Sequence, residues 1–230
     1  MKNSLQVSLS YPKDKISQRF GENANKLYAS QGLKGHTAYD WAVPYGTPIP
    51  NCTPDAFCYS LMNKDNPDLT KYRGVYMLVE TDTGVYEVSY GHCSEIFAEV
   101  GQTYQVGDII ANVGNSGPVF VNGVEVTNAE KQAGSHAGAH LHGAQIRPVR
   151  KVARQERHAG KIYLTTSNGA LYLNNYFYEV LDFNNGYNGC VSLKDFSTES
   201  LATKITKTQR DNLLISLLTK LRDLLLANKK

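Results

Sequence analysis

Two histidines separated by a single leucine stand out in the segment 134–142 as residues that could do chemistry. In His140-Leu141-His142, an extended chain places both imidazoles on one face and the leucine on the other. A neutral imidazole is a good zinc ligand, and histidine is also the usual general acid or base in enzymes. One strand could therefore supply both a metal ligand and a proton-transfer group. The alternative is a pair of solvated histidines on an exposed face.

A second segment with chemical potential carries a histidine and a carboxylate, His36 and Asp40, four positions apart. The glycine before His36 and the apolar run that ends in Pro44 favour an extended chain over a helix. Because residues i and i+4 share a face of a strand, both side chains could converge on one metal ion. With His142 they would provide three protein ligands and leave a fourth position for water, as in catalytic zinc sites. His140 would then lie near that water without binding the metal.

The length and composition are those of a globular protein. The chain has 230 residues, enough for one main domain with an appendage, and 41% of them are hydrophobic. Its formal net charge is only +3, far below the charge expected of a nucleic-acid-binding domain. Since no arginine-rich helix or aromatic ribonucleoprotein motif occurs either, we predict no nucleic-acid partner.

The four cysteines do not form a metal-binding framework. Cys52 and Cys58 lie close in sequence, whereas Cys93 and Cys190 are distant, and no Cys-x-x-Cys spacing occurs. Two interpretations stay open for Cys52 and Cys58. They could form a disulfide in an oxidising compartment, or they could be reduced, partly buried thiols.

The N-terminal segment 1–7 lacks the continuous apolar core of a signal peptide. No apolar run in the chain is long enough to span a membrane. We therefore expect either that a leader has been removed or that the protein reaches its target without the general secretion route.

Short β-rich segments separated by glycine turns dominate the first two thirds of the chain. Residues 74–81 and 85–90 are rich in β-branched and aromatic side chains and flank a turn with a glycine, so they predict a β-hairpin. The Asn122-Gly123 pair is a strong turn signal and predicts a second hairpin. The sequence therefore predicts a mainly β domain over residues 1–150.

The character of the chain changes after that domain. Residues 151–207 form an extension rich in tyrosine and asparagine, and its role stays open. In 208–230, a capping box at Thr208 and Asp211 precedes leucines at helical spacing, which predicts an amphipathic helix. Such a helix packs on its own domain or on a partner helix, giving self-association or a phage-particle contact. Membrane contact through its basic face is the alternative.

Several separate motifs resemble, in the same order, those of the lysostaphin-type zinc peptidases, which have the duplicated hybrid motif fold. The resemblance extends from about Ile16 to Ile146. The motifs that carry it are Arg19-Phe20-Gly21, His36-x-x-x-Asp40, Ala42-Val43-Pro44-x-Gly46-Thr47-Pro48-Ile49, Tyr90-Gly91-His92, Val100-Gly101-Gln102, Gly107-Asp108-x-Ile110 and His140-Leu141-His142. Their joint occurrence is far more specific than the His-x-His pair alone.

The resemblance implies a fold, a metal site and a substrate. The implied fold is an antiparallel, open barrel-like duplicated hybrid motif domain. From the residues themselves we expect a mixed C-terminal extension after it, ending in the amphipathic helix. The implied cofactor is one Zn²⁺ ion, and the implied substrate is the peptide part of bacterial peptidoglycan. The implied site residues are the metal ligands His36, Asp40 and His142 and the catalytic histidines His92 and His140.

The chain also departs from the family pattern near the implied site. Ala38 stands where the family has a glycine, Cys93 where it has a leucine, and Gly143 and Ala144 where it has an aromatic and an acidic residue. None of these is a ligand, but changes around a metal site can cost about tenfold to a hundredfold in activity. The segment 118–133 has no family counterpart, and we expect it to wall the groove and alter which peptide enters.

From these observations we expect a zinc endopeptidase that acts on the bacterial cell wall by cleaving peptidoglycan cross-links or stem peptides. A phage endolysin or a virion-associated lysin would be its setting. His140 and His92 would orient the attacking water, take its proton and stabilise the oxyanion, whereas we expect no direct metal role for His136. The alternative is a non-catalytic structural or wall-binding protein on the same fold, such as a phage tail component. Which bond is cut stays open.

Overall fold

The computed structural model describes residues 5–22 and 27–200. The amphipathic helix predicted at 208–230 lies outside the described residues, as does the end of the extension from residue 201. Among the described helices, none has both the length and the apolar character needed to cross a membrane.

Strands dominate the described part of the chain, and its two α-helices are short. The strands of the first half are β1 (Gln6–Leu9), β2 (Ile16–Gln18), β3 (Tyr39–Trp41), β4 (Pro48–Pro50), β5 (Ala56–Met62), β6 (Gly74–Thr81), β7 (Gly84–Gly91), β8 (Cys93–Ile96), β9 (Thr103–Tyr104) and β10 (Ile109–Val113). Those of the second half are β11 (Phe120–Val121), β12 (Val124–Glu125), β13 (Leu141–Ala153), β14 (Thr165–Thr166), β15 (Gly169–Ala170), β16 (Tyr172–Leu173), β17 (Tyr176–Val180) and β18 (Ser197–Ser200). The helices are α1 (Leu27–Ser30) and α2 (Asn128–Gln132), and single 3-10 turns occur at Lys13–Lys15, Arg154–Glu156, Phe183–Asn185 and Leu193–Asp195.

One nine-stranded sheet organises the molecule. Its order is β16-β17-β13-β7-β6-β5-β9, and β3 joins it by pairing with both β13 and β2. All pairings in this sheet are antiparallel. A smaller antiparallel sheet, β4-β10-β8, lies beside it, and β1 pairs with β18 in parallel. The prediction of a mainly β, antiparallel fold is therefore confirmed.

Both predicted hairpins are confirmed. β6 and β7 pair along their full length from Gly74↔Gly91 to Thr81↔Gly84, and β7 leads directly to the site histidine that follows it. β11 and β12 flank Asn122 and Gly123, whose φ angles are 51° and 81°. Positive φ at both central residues is what a tight two-residue hairpin turn requires, and asparagine and glycine adopt it at low cost.

The long strand β13 connects the site to the rest of the sheet. Its first residues pair with β3, its middle with β7 and its last with β17. A register shift between His142 and Gln145 marks a β-bulge, and Ala144 within it has a φ of 49°. Bulges bend a strand and re-aim its side chains, and they are frequent beside active sites.

The core packs behind the histidine pair. Leu141, Trp41 and Ile146 have no exposed surface, and they belong to one apolar cluster that also includes Met77 and Tyr90. The predicted alternation of His140-Leu141-His142 is confirmed because the leucine is buried while both imidazoles face the opposite side, towards Asp40. Full burial of a leucine side chain contributes about 1.5–3 kcal/mol. The hydrophobic effect therefore holds this strand in the register that presents the histidines.

The prediction of a continuous extended strand from His36 to Asp40 is wrong for its first half, because β3 begins only at Tyr39. The backbone of His36 instead forms two hydrogen bonds with an earlier segment of the chain. Its N–H donates to the Glu22 carbonyl at 2.8 Å, and its carbonyl accepts from the Gly21 N–H at 2.8 Å. These bonds turn the segment towards residues 21–22, so that His36 enters the site from a loop.

The extension adds strands to the same sheet. β13 runs to Ala153, so the predicted boundary at residue 150 falls inside a strand, and β17 pairs with its last five residues. A second apolar cluster around Tyr178 and Leu164 fills the space between sheet and extension. Val191 then forms a bridge to Ile146. The extension is therefore packed on the sheet rather than tethered to it.

All four cysteines are free and buried. Burial raises the pKa of the Cys58 thiol to about 11 and that of Cys52 to about 12. The spacing of Cys52 and Cys58 left two interpretations open, and the structure agrees with the one in which both are reduced, buried thiols.

Candidate metal centre

Three side chains from distant parts of the chain place one donor atom each at a common point. His36 Nε2 lies 3.2 Å from Asp40 Oδ1, and His142 Nδ1 lies 3.0 Å from the same oxygen. The two imidazole nitrogens are 3.0 Å apart. The three atoms thus form a nearly equilateral triangle. Among the described residues, this trio is the group of His, Cys, Asp and Glu that could hold a metal ion.

Strand pairing and a tight backbone contact bring these residues together. Asp40 on β3 and His142 on β13 are direct partners across the antiparallel ladder. Such partners have Cβ atoms about 4.5–5.5 Å apart, which lets their side chains meet on one face. His36 is held from the other side by residues 21–22. A Cβ on Gly35 would come within 2.4 Å of the Gly21 carbonyl oxygen, so this approach requires glycine.

The triangle fits a zinc ion by its dimensions and by its donor set. Zinc bonds of about 2.0–2.1 Å in a tetrahedron place neighbouring donor atoms about 3.3 Å apart. The observed separations of 3.0–3.2 Å are close to that edge length. Two imidazole nitrogens and one carboxylate oxygen leave one tetrahedral position open, as in catalytic sites. Lone pairs this close repel one another unless a cation or a proton lies between them.

The surroundings of the site favour the carboxylate form of Asp40 and the neutral form of His142. Burial would by itself raise the pKa of the Asp40 carboxyl, but the charges of His140 and His36 and the hydrogen bonds from His142 and His36 outweigh burial. The pKa of Asp40 is therefore held well below its usual range. Burial also lowers the pKa of His142, against the opposing bond and charge of Asp40. A carboxylate and a neutral imidazole are the forms that bind a divalent ion.

Two further imidazoles, His92 and His140, face the metal triangle. Their ring centroids are 4.5 Å apart, and His140 Nε2 lies 3.6 Å from Asp40 Oδ2. The His92 ring centroid is 5.7 Å from that of His142. The structure thus brings together all five residues that the sequence analysis singled out.

Backbone carbonyls determine which nitrogen of these two imidazoles carries the proton. His92 Nδ1 lies 2.6 Å from the Ser116 carbonyl oxygen, and His140 Nδ1 lies 2.7 Å from the Gly138 carbonyl oxygen. Because a carbonyl oxygen only accepts, Nδ1 must donate in both rings, and Nε2 of the neutral ring keeps its lone pair. Burial and the charges of His140 and His142 lower the pKa of His92 well below its usual range. The lowered pKa favours the neutral form of the His92 imidazole.

A cavity of about 460 Å³ opens over the five residues. One wall comes from the region before and around α1, and the other from residues 118–123, so the first part of the segment 118–133 walls the groove as predicted. The wall residues are Gln18, Tyr28, Gln31 and Leu33 on the first side and Pro118, Val119, Phe120, Asn122 and Gly123 on the second.

Two tyrosines, Tyr28 and Tyr72, lie beside the site although no sequence motif indicates this position. The Tyr28 ring lies 5.7 Å from that of His36, and its hydroxyl donates to Gln18 Oε1 at 3.3 Å. The Tyr72 ring lies 5.0 Å from that of His92. No motif separates these two residues from the other tyrosines of the chain, which number 15 in total.

His136 has a different place from the other site histidines. Its ring stacks on that of Tyr45 at 3.8 Å between centroids with an interplanar angle of 11°. It is not part of the metal-capable trio. The stack instead attaches the end of the 118–139 region to the loop after β3.

No family model and no curated protein matches the sequence. Among solved structures, the chain is similar to a mutant catalytic domain of the prophage-encoded M23 protein EnpA from Enterococcus faecalis, with 22% identity and a TM-score of 0.38 over 62% of this chain and 87% of that one. It is similar to LytU with 26% identity and a TM-score of 0.39 over 60% and 76%. It is also similar to the catalytic domain of the peptidase lysostaphin from Staphylococcus simulans, with 19% identity and a TM-score of 0.36 over 58% and 78%.

Proposed function

We propose that this protein is a zinc-dependent endopeptidase that cleaves peptide bonds in bacterial peptidoglycan. The observation that carries the proposal is the geometry of the site. The three donor atoms of His36, Asp40 and His142 lie 3.0–3.2 Å from one another, and the imidazoles of His92 and His140 face them. A merely structural metal site would need four protein ligands and no additional histidines.

The residues of the site have distinct roles in this proposal. A zinc ion bound by the trio would supply Lewis acidity for the scissile carbonyl and would lower the pKa of a water molecule towards about 7. His140 and His92 each present a lone pair at Nε2, so they orient the attacking water and accept its proton. The resulting imidazolium carries the proton at Nε2, donates a hydrogen bond to the developing oxyanion, and then gives that proton to the leaving amine.

The substrate class rests on the family resemblance and on the shape of the site. The motifs from about Ile16 to Ile146 resemble those of the lysostaphin-type peptidases, which implies peptidoglycan as the substrate. A walled cavity of about 460 Å³ accommodates an extended peptide of a few residues. The proposal places the action at the cell wall, whether the protein is delivered by a phage lysis system, within a virion or by secretion.

Metal analysis and digestion of purified cell walls test the proposal. The purified chain is expected to bind one zinc ion and to release new amino termini from walls of at least one peptide chemotype, identified by mass spectrometry. A His140→Ala variant should bind zinc but cleave nothing. His158→Ala, at an exposed histidine, is the matched control and should retain full activity. A protein that binds no zinc and cleaves no wall would instead be a non-catalytic structural or wall-binding protein.

A further inference from the structure

The two carbonyls that orient the facing imidazoles lie on separate backbone segments. The Ser116 carbonyl, which accepts from His92, belongs to the segment 114–117 that follows β10. The Gly138 carbonyl, which accepts from His140, belongs to the region between α2 and β13. The relative position of the two imidazoles therefore depends on how these two segments are held together.

Asn115 joins the two segments next to both carbonyls. Its side chain has no exposed surface, and its Nδ2 donates to the Ala137 carbonyl at 3.0 Å and to the Lys131 carbonyl at 3.2 Å. Asn115 directly precedes Ser116, and Ala137 directly precedes Gly138. A single amide thus fixes the distance between the residues that carry the two acceptors.

Lys131 makes a second connection between the same segments. Its side chain is 2% exposed although it is a lysine on a five-residue helix, and its Nζ donates to the Gly117 carbonyl. A buried ammonium is costly unless it is well bonded, so its presence here needs a reason. The backbone adds a third connection, because His140 N–H donates to the Gly114 carbonyl at 3.1 Å.

We propose that Asn115 and Lys131 are positioning residues that set the orientation and the Nδ1–H tautomer of His92 and His140. Neither residue lines the cavity, so neither can act on a substrate directly. The effect on catalysis rests on the proposed function, whereas the effect on the imidazole tautomers does not. The segment 118–133 therefore does more than wall the groove, because its Lys131 accepts from the Asn115 amide and donates to the Gly117 carbonyl.

Two nearly isosteric substitutions remove these connections. Asn115→Asp keeps the shape of the side chain but replaces a double donor by a carboxylate, which faces two carbonyl oxygens and repels them. Lys131→Met keeps an unbranched side chain of similar volume and removes the donor. The matched controls are Asn128→Asp and Lys71→Met, which make the same chemical changes at exposed positions.

The experiment compares histidine tautomers and kinetics in the full chain. Long-range ¹H–¹⁵N spectra of the ¹⁵N-labelled protein, recorded with and without added zinc, report which nitrogen of each imidazole is protonated. The signals of His92 and His140 are assigned with His92→Gln and His140→Gln variants. We expect Nδ1–H in the parent and the controls, and mixed tautomers for at least one of the two histidines in Asn115→Asp and Lys131→Met.

Turnover provides the second measurement. We expect kcat to fall by about 10- to 100-fold in both variants, the range for outer-shell changes, while KM and zinc affinity change by less than about threefold. Unchanged tautomers in a folded Asn115→Asp or Lys131→Met protein would overturn the proposal. If one of the two variants does not fold, the histidine tautomers of the other variant test the proposal. If the parent itself cleaves no wall, the proposed function fails, but the tautomer comparison still decides the role of Asn115 and Lys131.

Discussion

Asp40 and His142 are direct partners across the β3–β13 ladder, and their side-chain atoms Oδ1 and Nδ1 lie 3.0 Å apart. Two of the proposed ligands are thus held by backbone pairing rather than by a flexible loop. The third, His36, is held by two backbone bonds to residues 21–22. Because backbone hydrogen bonds hold all three side chains, the site is organised before a metal ion binds, which reduces the entropic cost of binding.

Replacement of Asp40 should abolish tight metal binding. Asp40→Asn keeps the shape of the side chain but removes the negative charge that offsets the charge of the ion. We expect zinc affinity to fall by more than about 100-fold, beyond the loss caused by changes around a site. Competition with a chromophoric chelator measures this loss. Asp65→Asn, at an exposed aspartate, should leave the affinity unchanged, and equal affinities for both variants would contradict the assignment of Asp40 as a ligand.

Zinc should stabilise the folded protein, because it binds the native arrangement of the three ligands and not the unfolded chain. At a free zinc concentration of about 100 times Kd, the free energy of unfolding should rise by about 2.7 kcal/mol. For a chain of this size, that corresponds to an increase in Tm of about 5–10 °C. Thermal scans with zinc and with a chelator measure the difference. The Asp40→Asn variant should show the same Tm under both conditions.

Truncation of Leu141 should destabilise the strand that carries the histidine pair. The side chain is fully buried, so Leu141→Ala leaves a cavity and should lower the free energy of unfolding by about 2–5 kcal/mol. Val124→Ala, at a side chain that is 70% exposed, should change it by no more than about 0.5 kcal/mol. Urea unfolding monitored by fluorescence of Trp41 compares the two. A small effect at Leu141 would mean that the core does not hold this strand.

A side chain at position 35 should displace His36. A Cβ on Gly35 would lie 2.4 Å from the Gly21 carbonyl oxygen, a backbone atom that cannot move away without shifting the loop. We expect Gly35→Ala to cost about 1–3 kcal/mol of stability and to weaken zinc binding. Gly134→Ala meets no atom within 4 Å and is the matched control. Wild-type zinc affinity in Gly35→Ala would show that the loop tolerates the displacement.

The thiols should be unreactive in the native protein. All four cysteines are buried, and burial raises the pKa of Cys52 to about 12 and that of Cys93 to about 12. Since the thiolate is the reactive form, modification by a disulfide reagent should stay slow even as the pH is raised from 7 to about 9. After denaturation without reductant, all four thiols should react. Only two reactive thiols in the denatured chain would reveal a disulfide.

Local patterns determined much of this protein from its sequence alone. The period of two in a strand was enough to bury Leu141 and to present His140 and His142 together. The Asn122-Gly123 pair was enough for a hairpin because few residues adopt positive φ. These features depend on neighbours in the chain, and the sequence contains them directly.

Tertiary contacts decided the rest. The predicted strand through His36 was wrong because its backbone bonds to residues 21–22 outweigh the local preference for an extended chain. The spacing of Cys52 and Cys58 was compatible with a disulfide or with free thiols, and in the fold both thiols are free. Cys52 Sγ accepts from the Tyr90 hydroxyl, and Cys58 Sγ donates to the Ser60 carbonyl. The carbonyls of Ser116 and Gly138 could not be identified in advance, because every residue has a carbonyl and only packing chooses which ones meet an imidazole. Residue types thus specified the donors of the site, and the fold determined their partners.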